Sequence, residues 1–331
     1  MNKQIIKIAL FTIIFLLFIS SSTKASAQGV DIGIYPPIIE VNLTPPATIK
    51  IPFTVFNYKE ESVDLKISIK PFTASEEENG QLIFTNNSEL PDPDIKDKII
   101  IYDKETPIDS LTLFPKQQRD LVLELKIPAK QAKGDYYLSM LFLSAAQTIN
   151  DSNSSGATAG VTSNILLSVG PQGKTKGILE DFSVPFFISK GPVPFNVRLR
   201  NTSDHFIAPK GDIIIKNMFG QAIGKVNLLP VNILSNSLRR LPDSLQGAVS
   251  EKDYSQIKKT VEKNKYPVAV WPEKFLLGLY KATLTISLSD QGPVFRRDTY
   301  FFAFPSEYLM TVLIVIGIVA FIILRVKKKI G

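Results

Sequence analysis

The sequence predicts an all-β chain of two tandem β-sandwiches, framed by an apolar segment at each end. Three observations carry this reading: period-two alternation through the body, turn-forming clusters between the alternating runs, and an internal repeat. Ile49, Ile51, Phe53 and Val55 alternate with Lys50, Pro52 and Thr54. Val63, Leu65, Ile67 and Ile69 alternate with Asp64, Lys66 and Ser68, and Leu121, Leu123, Leu125 and Ile127 share one face. Val193, Phe195, Val197 and Leu199 do the same, as do Ala282, Leu284, Ile286 and Leu288. Each run reads as a half-buried antiparallel strand, because side chains alternate between the two faces of a sheet. Asn57-Tyr58-Lys59-Glu60, Glu78-Asn79-Gly80 and Asn201-Thr202-Ser203-Asp204 supply turns. Many short strands with almost no helical periodicity point to sandwiches rather than an α/β sheet.

The repeat sets the domain count. Pro52-Phe53-Thr54-Val55 recurs as Pro194-Phe195-Asn196-Val197, Asn57 as Asn201, and Gly134-Asp135-Tyr136 as Gly278-Leu279-Tyr280. The offsets are 142, 144 and 144 residues, in the same order. A Gly-x-Tyr entering a late strand matches the tyrosine corner of immunoglobulin-like sandwiches, in which the ring packs and the hydroxyl ties back to the backbone. The expected fold is therefore two immunoglobulin-like β-sandwich domains, residues 29–170 and 178–304, joined by a linker at 171–177. Three segments exceed ordinary loop length: Phe72 to Ile108, Asn150 to Gly160, and an insert at 242–267. The insert holds the one helical candidate, with Tyr254, Ile257 and Val261 on a face and Ser250 as a possible cap.

The ends set the topology. Lys3 and Lys7 precede an apolar run from Ile8 to Ile19, and Ala25-Ser26-Ala27 supplies a small-x-small cleavage pattern. Residues 1–27 thus read as a secretory signal peptide with the mature chain starting at Gln28. Residues 308–326 are apolar until Arg325, and at 1.5 Å per residue they match a hydrocarbon core of about 30 Å. The basic tail, 327–331, belongs in the cytoplasm by the positive-inside rule. The expectation is a single-pass protein of the cytoplasmic membrane with its body on the extracytoplasmic side.

Charge and composition exclude several functions. The 331-residue chain carries 38 basic and 31 acidic residues, a net charge of +7. Lys3, Lys7, Lys24, Arg325, Lys327, Lys328 and Lys329 lie in the two end segments, so the body is neutral. A nucleic-acid surface needs a basic field, so no nucleic-acid partner is expected. With no Cys and a single His, disulfides, zinc-thiolate sites and Cys nucleophiles are ruled out, and a His-rich metal site has no ligands.

Candidate motifs fall short of chemistry. Gly173-Lys174-Thr175 lacks the P-loop glycine five residues earlier, where Ser168 stands, and a strand follows instead of a helix. Ser255-Gln256-Ile257-Lys258 places a Lys one helical turn from a hydroxyl but has no partner motif. Asp92, Asp94 and Asp97 read as a solvated acidic loop rather than a calcium site, and Glu76-Glu77-Glu78 as a solvent-facing charge run. His205 beside Asp204 reads as a turn histidine. Trp271 reads as core packing, with an exposed anchor for sugar or protein as the alternative. Asn42, Asn150 and Asn201 match glycosylation acceptors. No catalytic, cofactor-binding or metal residues are assigned.

The order of parts resembles the WxL-interacting proteins of bacterial cell surfaces. The segment Leu125-Lys126-Ile127-Pro128-Ala129-Lys130-Gln131-Ala132-Lys133-Gly134-Asp135-Tyr136-Tyr137 is similar to that family's strand, Pro, spacer and Gly-x-Tyr run. Asn232 to Arg240 and Leu277 to Leu284 are comparable strand entries in the second half. The resemblance implies a first domain that binds peptidoglycan and a second that binds a WxL-domain partner, while the insert departs from the pattern. The reading is a non-enzymatic, membrane-anchored envelope protein. It would bind cell-wall polymer, a surface protein or both, without a cofactor. The alternative is a membrane-tethered, chaperone-like assembly factor for a secreted client. Hydrolysis by carboxylates or Ser255, and a purely structural stalk, are the remaining readings.

Overall fold

The computed structural model describes residues 31–144, 160–243 and 268–306, and positions 314, 316–319 and 321. The expected signal peptide, the Ser- and Asn-rich segment up to residue 159, the insert from residue 244, and most of 308–326 with its tail lie outside these residues. Among the described residues no helix is long and apolar enough to cross a membrane. The described positions between 314 and 321 are helical and well exposed, so nothing in the body covers them.

Two sandwiches follow one another. In the first, one sheet runs β1 (Ile32–Tyr35), β3 (Ala47–Asn57), β9 (Gln118–Ile127), β6 (Ile99–Asp103) and β7 (Thr106–Pro107). The facing sheet runs β2 (Ile38–Leu43), β11 (Gly160–Val169), β10 (Gly134–Ser144), β4 (Val63–Ala74) and β5 (Leu82–Phe84), with β8 (Ser110–Leu113) also on β4. In the second, β14 (Val193–Asn201) lies between β12 (Gly177–Ser183) and β17 (Leu238–Arg240), and also pairs with β18 (Ala269–Trp271). Its facing sheet runs β13 (Phe187–Ile188), β20 (Val294–Ala303), β19 (Gly278–Ser287), β15 (Lys210–Asn217) and β16 (Ala222–Asn227).

Alternation is what places the two cores. Val193, Phe195, Val197 and Leu199 are all fully buried, and the residues between them are half-exposed. Tyr280 and Phe301 stack with ring centroids 5.0 Å apart in the second core. In the first core Leu121, Leu123, Leu125 and Ile127 meet Tyr136, Leu138 and Phe142 across the sandwich. Residues 72–108 depart from the expected long loop. β4 runs on to Ala74, and β5, β6 and β7 lie within the segment. Ile99 and Ile101 bury one face of β6 against the core, which a Pro- and Asp-rich neighbourhood disguised.

The repeat extends to hydrogen bonding. The order β2-β11-β10-β4 recurs as β13-β20-β19-β15, and the first pair of each set is parallel. The Asn57 Nδ2 donates to Glu61 O, Leu113 O and Phe114 O, and its Oδ1 accepts from Lys59 N. The Asn201 Nδ2 donates to His205 O, Ile233 O and Leu234 O, and its Oδ1 accepts from Ser203 N. Only a neutral amide offers two donors and an acceptor to such a pocket of backbone groups. Both Gly-x-Tyr segments also form the corner. The Tyr136 hydroxyl donates to Ala132 O at 2.7 Å and the Tyr280 hydroxyl bonds the backbone of Leu277. Gly134 and Gly278 enter these strands at φ of +134° and +106°, which a side chain would strain.

One element breaks the symmetry. The strand matching β9 is split: β17 pairs with Arg198–Arg200, and β18 pairs with Val193–Phe195. The insert lies between these two halves.

Candidate functional site

Three kinds of contact dock the sandwiches. The first is charged. The Glu78 carboxylate takes both the Nε and a terminal nitrogen of Arg198 and lies 3.1 Å from Arg240 Nε. Arg198 also lies 3.6 Å from Glu180, which holds Arg200. The hydrogen bond from Arg198 is the main reason the Glu78 carboxyl sits below its ordinary value. The expected solvent-facing charge run is therefore corrected at Glu78. Arg198 stands 120 residues away and Arg240 farther still, and no local pattern reveals them. The second contact is polar. Phe206 N donates to Asp135 Oδ2 at 2.7 Å, and Ser235 N donates to the Tyr137 hydroxyl at 3.0 Å. Burial is the largest cause pushing the Tyr137 phenol far above its usual value, so it stays neutral. The third is apolar: Phe72 and Leu166 of the first sandwich pack with Leu234 of the second.

A groove opens beside this seam. Phe72, Ala74, Leu82 and Leu166 form its floor on the first sandwich, and Leu234 and Leu238 close it from the second. Its volume is about 120 Å³. Drug-sized ligands fill roughly 300–1,000 Å³, so this space suits a single side chain. Arg239 forms one wall, with its guanidinium lying on Gly80 across the seam. Its hydrogen bond is to the backbone carbonyl of Asn232, and no described carboxylate pairs with it. Burial lowers its pKa, the direction expected for a cation held away from water without a counter-charge. Beside it, Asn232 Nδ2 donates to Glu40 at 2.6 Å while its Oδ1 is buried without a partner among the described residues. The groove thus offers an apolar floor, one cation and one free acceptor. β5, the edge strand of its sheet, forms the rim with exposed Ile83 and Phe84.

The motifs singled out in the sequence do not converge here. Ser168 donates to Asp135, and Gly173-Lys174-Thr175 leads into β12, so no helix terminus awaits a phosphate. Ser255 and Lys258 lie outside the described residues. Asp92 is drawn into the first tyrosine corner rather than left in solvent. It accepts from Lys98 Nζ and Gln131 Nε2, both at 2.7 Å, and the Lys98 bond is the largest cause lowering its pKa. Gln131 in turn donates to the Tyr136 hydroxyl. His205 is buried, not a free turn residue. Its Nδ1 lies 2.7 Å from Asp204 and its Nε2 3.3 Å from the Thr175 hydroxyl. The nearby Ser203 hydroxyl is engaged by both backbone groups of Lys176 and does not face the imidazole. Trp271 packs in the core against Tyr280 and beside Gly224. Asn42 is exposed, Asn201 is fully buried as a backbone clamp and unavailable to a glycan, and Asn150 lies outside the described residues. Among the described residues no cluster of three His, Asp or Glu could hold a metal ion.

No protein-family model and no curated protein matches this sequence. Similar solved structures are a chaperone–tip adhesin complex of CFA/I fimbriae, the Pseudomonas aeruginosa CupB2 chaperone and the E. coli chaperone DraB. The first is 13% identical, with 81% of this chain and 98% of the other covered at a TM-score of 0.34. The second is 7% identical, with 79% and 97% covered at 0.33. The third is 8% identical, with 81% and 98% covered at 0.33. Likeness this loose assigns neither partner nor activity to the chain.

Proposed function

We propose that this chain is a non-enzymatic, membrane-anchored envelope protein. Its two sandwiches act together to hold a segment of an extracytoplasmic protein partner. The observation that supports this is the groove built from both sandwiches, with partly buried Arg239 unmatched by a described carboxylate. A cation partly withdrawn from water without a counter-charge carries a cost, and an anionic occupant would offset it. The fitting occupant is an extended segment with a carboxylate beside an apolar side chain. The apolar pocket would take the side chain as an anchor, and the rim strand β5 offers an edge for backbone pairing.

Of the ligands left open by the sequence, this favours protein over wall polymer. The groove floor is mainly aliphatic, and its one aromatic residue, Phe72, is buried. A partner held in this way is what a chaperone-like assembly factor or an adaptor of the envelope would need.

The test uses the full chain in its membrane with a photo-crosslinking residue at Leu82, beside Arg239, or at Thr112, on the remote strand β8. The expected result is an adduct with a secreted protein from position 82 alone, lost in Arg239→Glu. Equal adducts from both positions would refute the groove. Retention of the chain on purified sacculi with no adduct at 82 would return the reading to wall polymer.

A further inference from the structure

One end of the second sandwich is unusually apolar. Phe219, at the tip of the β15–β16 turn, is 80% exposed and Phe186 is 73% exposed. Met218, Phe275, Leu277 and Phe187 are each more than half exposed. These residues are far apart in sequence, and the sheet brings them together. Phe302 N donates to Phe186 O at 2.7 Å, Phe304 N donates to Ile188 O at 3.0 Å, Leu279 pairs with Phe302, and Asn217 pairs with Tyr280. A Cβ on Gly278 would stand 3.5 Å from the Met218 sulfur, so the β15–β16 turn reaches the entry of β19. The opposite end of the same sheet is more polar: Val294 is exposed there opposite Ser287, but Lys210 and Asp290 pair at 3.0 Å beyond it. Gly177, where the chain arrives from the first sandwich, lies against Leu288 at that polar end.

The apolar end is also where the chain leaves. β20 ends at Ala303, and only Pro305, Ser306 and Glu307 separate Phe304 from the apolar run that starts at Tyr308. Three residues span at most about 10 Å when extended. The headgroup layer on each side of a bilayer is of similar depth, roughly 5–8 Å. Even fully extended, so short a tether lifts this end only a few ångströms beyond the headgroup layer, and any less extended form leaves the end within it.

We infer that this end of the second sandwich sits in the lipid headgroup layer, with its aromatic side chains reaching the acyl boundary. The inference rests on the anchoring reading of residues 308–326. Aromatic and aliphatic side chains gain most where one side is apolar and the other wet, and exposed apolar patches of this kind mark interaction surfaces. Exposed Lys190 and Lys274 belong to segments that meet at this end, where Gly191 N donates to Lys274 O at 3.2 Å. The consequence is orientation: the first sandwich and the seam groove are held outward at a set angle rather than swinging on a tether.

The chain has no Cys, so single labels are simple to place. Full-length Phe219→Cys, Leu277→Cys, Asp290→Cys and Val319→Cys would each carry an environment-sensitive fluorophore in phosphatidylethanolamine–phosphatidylglycerol vesicles. Lipid spin-labelled at the headgroup is the quencher for 219, 277 and 290, lipid spin-labelled near the acyl-chain end is the quencher for 319, and Trp271 emission reports that each variant is folded. The expected result is a blue-shifted, strongly quenched signal at 219 and 277, quenching at 319, and none at 290. Quenching at 319 with a water-like signal at 219 and 277 would overturn the inference while leaving the anchor intact. A blue shift at 219 without lipid quenching would overturn it in favour of a second copy or a protein partner. No quenching at 319 would remove the anchor itself and the inference with it.

Discussion

Replacing Asn201 by Ala should destabilise the second sandwich by about 2–4 kcal/mol. The side chain is fully buried and makes four hydrogen bonds to backbone groups, from 2.8 to 3.1 Å. Two of the carbonyls have other donors, since Ile233 O also accepts from Ile207 N and Leu234 O from Ser237 N. His205 O and Ser203 N lose their side-chain partner, at about 1–3 kcal/mol for each buried group left unsatisfied. With a urea dependence of about 1–3 kcal/mol per molar, the midpoint should fall by about 1–2 M. Trp271 is the only tryptophan and is buried in this sandwich, so its emission follows this transition specifically. Asn201→Asp should be at least as damaging despite its shape, because it turns a carboxylate toward three carbonyl oxygens. Asn57→Ala, the matching change in the first sandwich, should leave the Trp271 transition nearly in place. A loss below about 0.5 kcal/mol for Asn201→Ala, the range of an ordinary surface change, would refute the clamp.

Glu78→Gln should loosen the docking of the sandwiches, by about 1 kcal/mol for a partly exposed charged pair. Because the Glu78 carboxyl is held below 4.5, the contact is fully present above that pH and is lost as pH falls through the lowered value. Labels at Thr112→Cys and Ile223→Cys should show a broader distance distribution on acidification, and the Gln variant should show it already at neutral pH. Gly80→Ala should both strain a position at φ +82° and drive a Cβ to 2.3 Å from the Arg239 guanidinium. Loss of the crosslink at position 82, with the Trp271 transition unchanged, would confirm that the Arg239 wall is what matters. Asp243 is pushed up to about 6, first by burial. The folded chain therefore holds that proton between about pH 4 and 6 while the unfolded chain releases it, so stability falls across that interval and the full cost of the buried charge is present above about pH 6. Asp243→Asn should add roughly 1 kcal/mol at pH 8, after allowing for solvent screening, and nothing at pH 3.5, as read by urea midpoints.

Whatever is local and periodic is legible in the sequence. Val193, Phe195, Val197 and Leu199 announce their strand because every second residue must face the core. Asn57 and Asn201 announce a repeated turn, though not that each ties together three separated carbonyls. β6 was missed because only Ile99 and Ile101 face inward and Asp and Pro residues surround them. Glu78 and Arg239 were unreadable for a different reason. Their surroundings are built by a strand and a loop of the other sandwich, and a charged residue carries no mark of a distant partner. The apolar end of the second sandwich was hidden likewise, since Phe186, Phe219, Phe275 and Phe302 look like unrelated residues until the sheet assembles them.

The split partner of β14 has a consequence for how this chain can change. Leu241 N donates to Val197 O at 3.0 Å, and Ala269 pairs with Phe195. The chain therefore departs and returns two positions apart along a single strand, a gap of about 7 Å. Whatever joins those points enlarges a closed loop, and each doubling of its length costs only about 0.6 kcal/mol. The sandwich is accordingly tolerant of length and content at this one place. An epitope or reporter domain grafted between those points is therefore expected to leave the core folded, provided Pro242, Asp243 and Val268, which meet the body at either side, are kept.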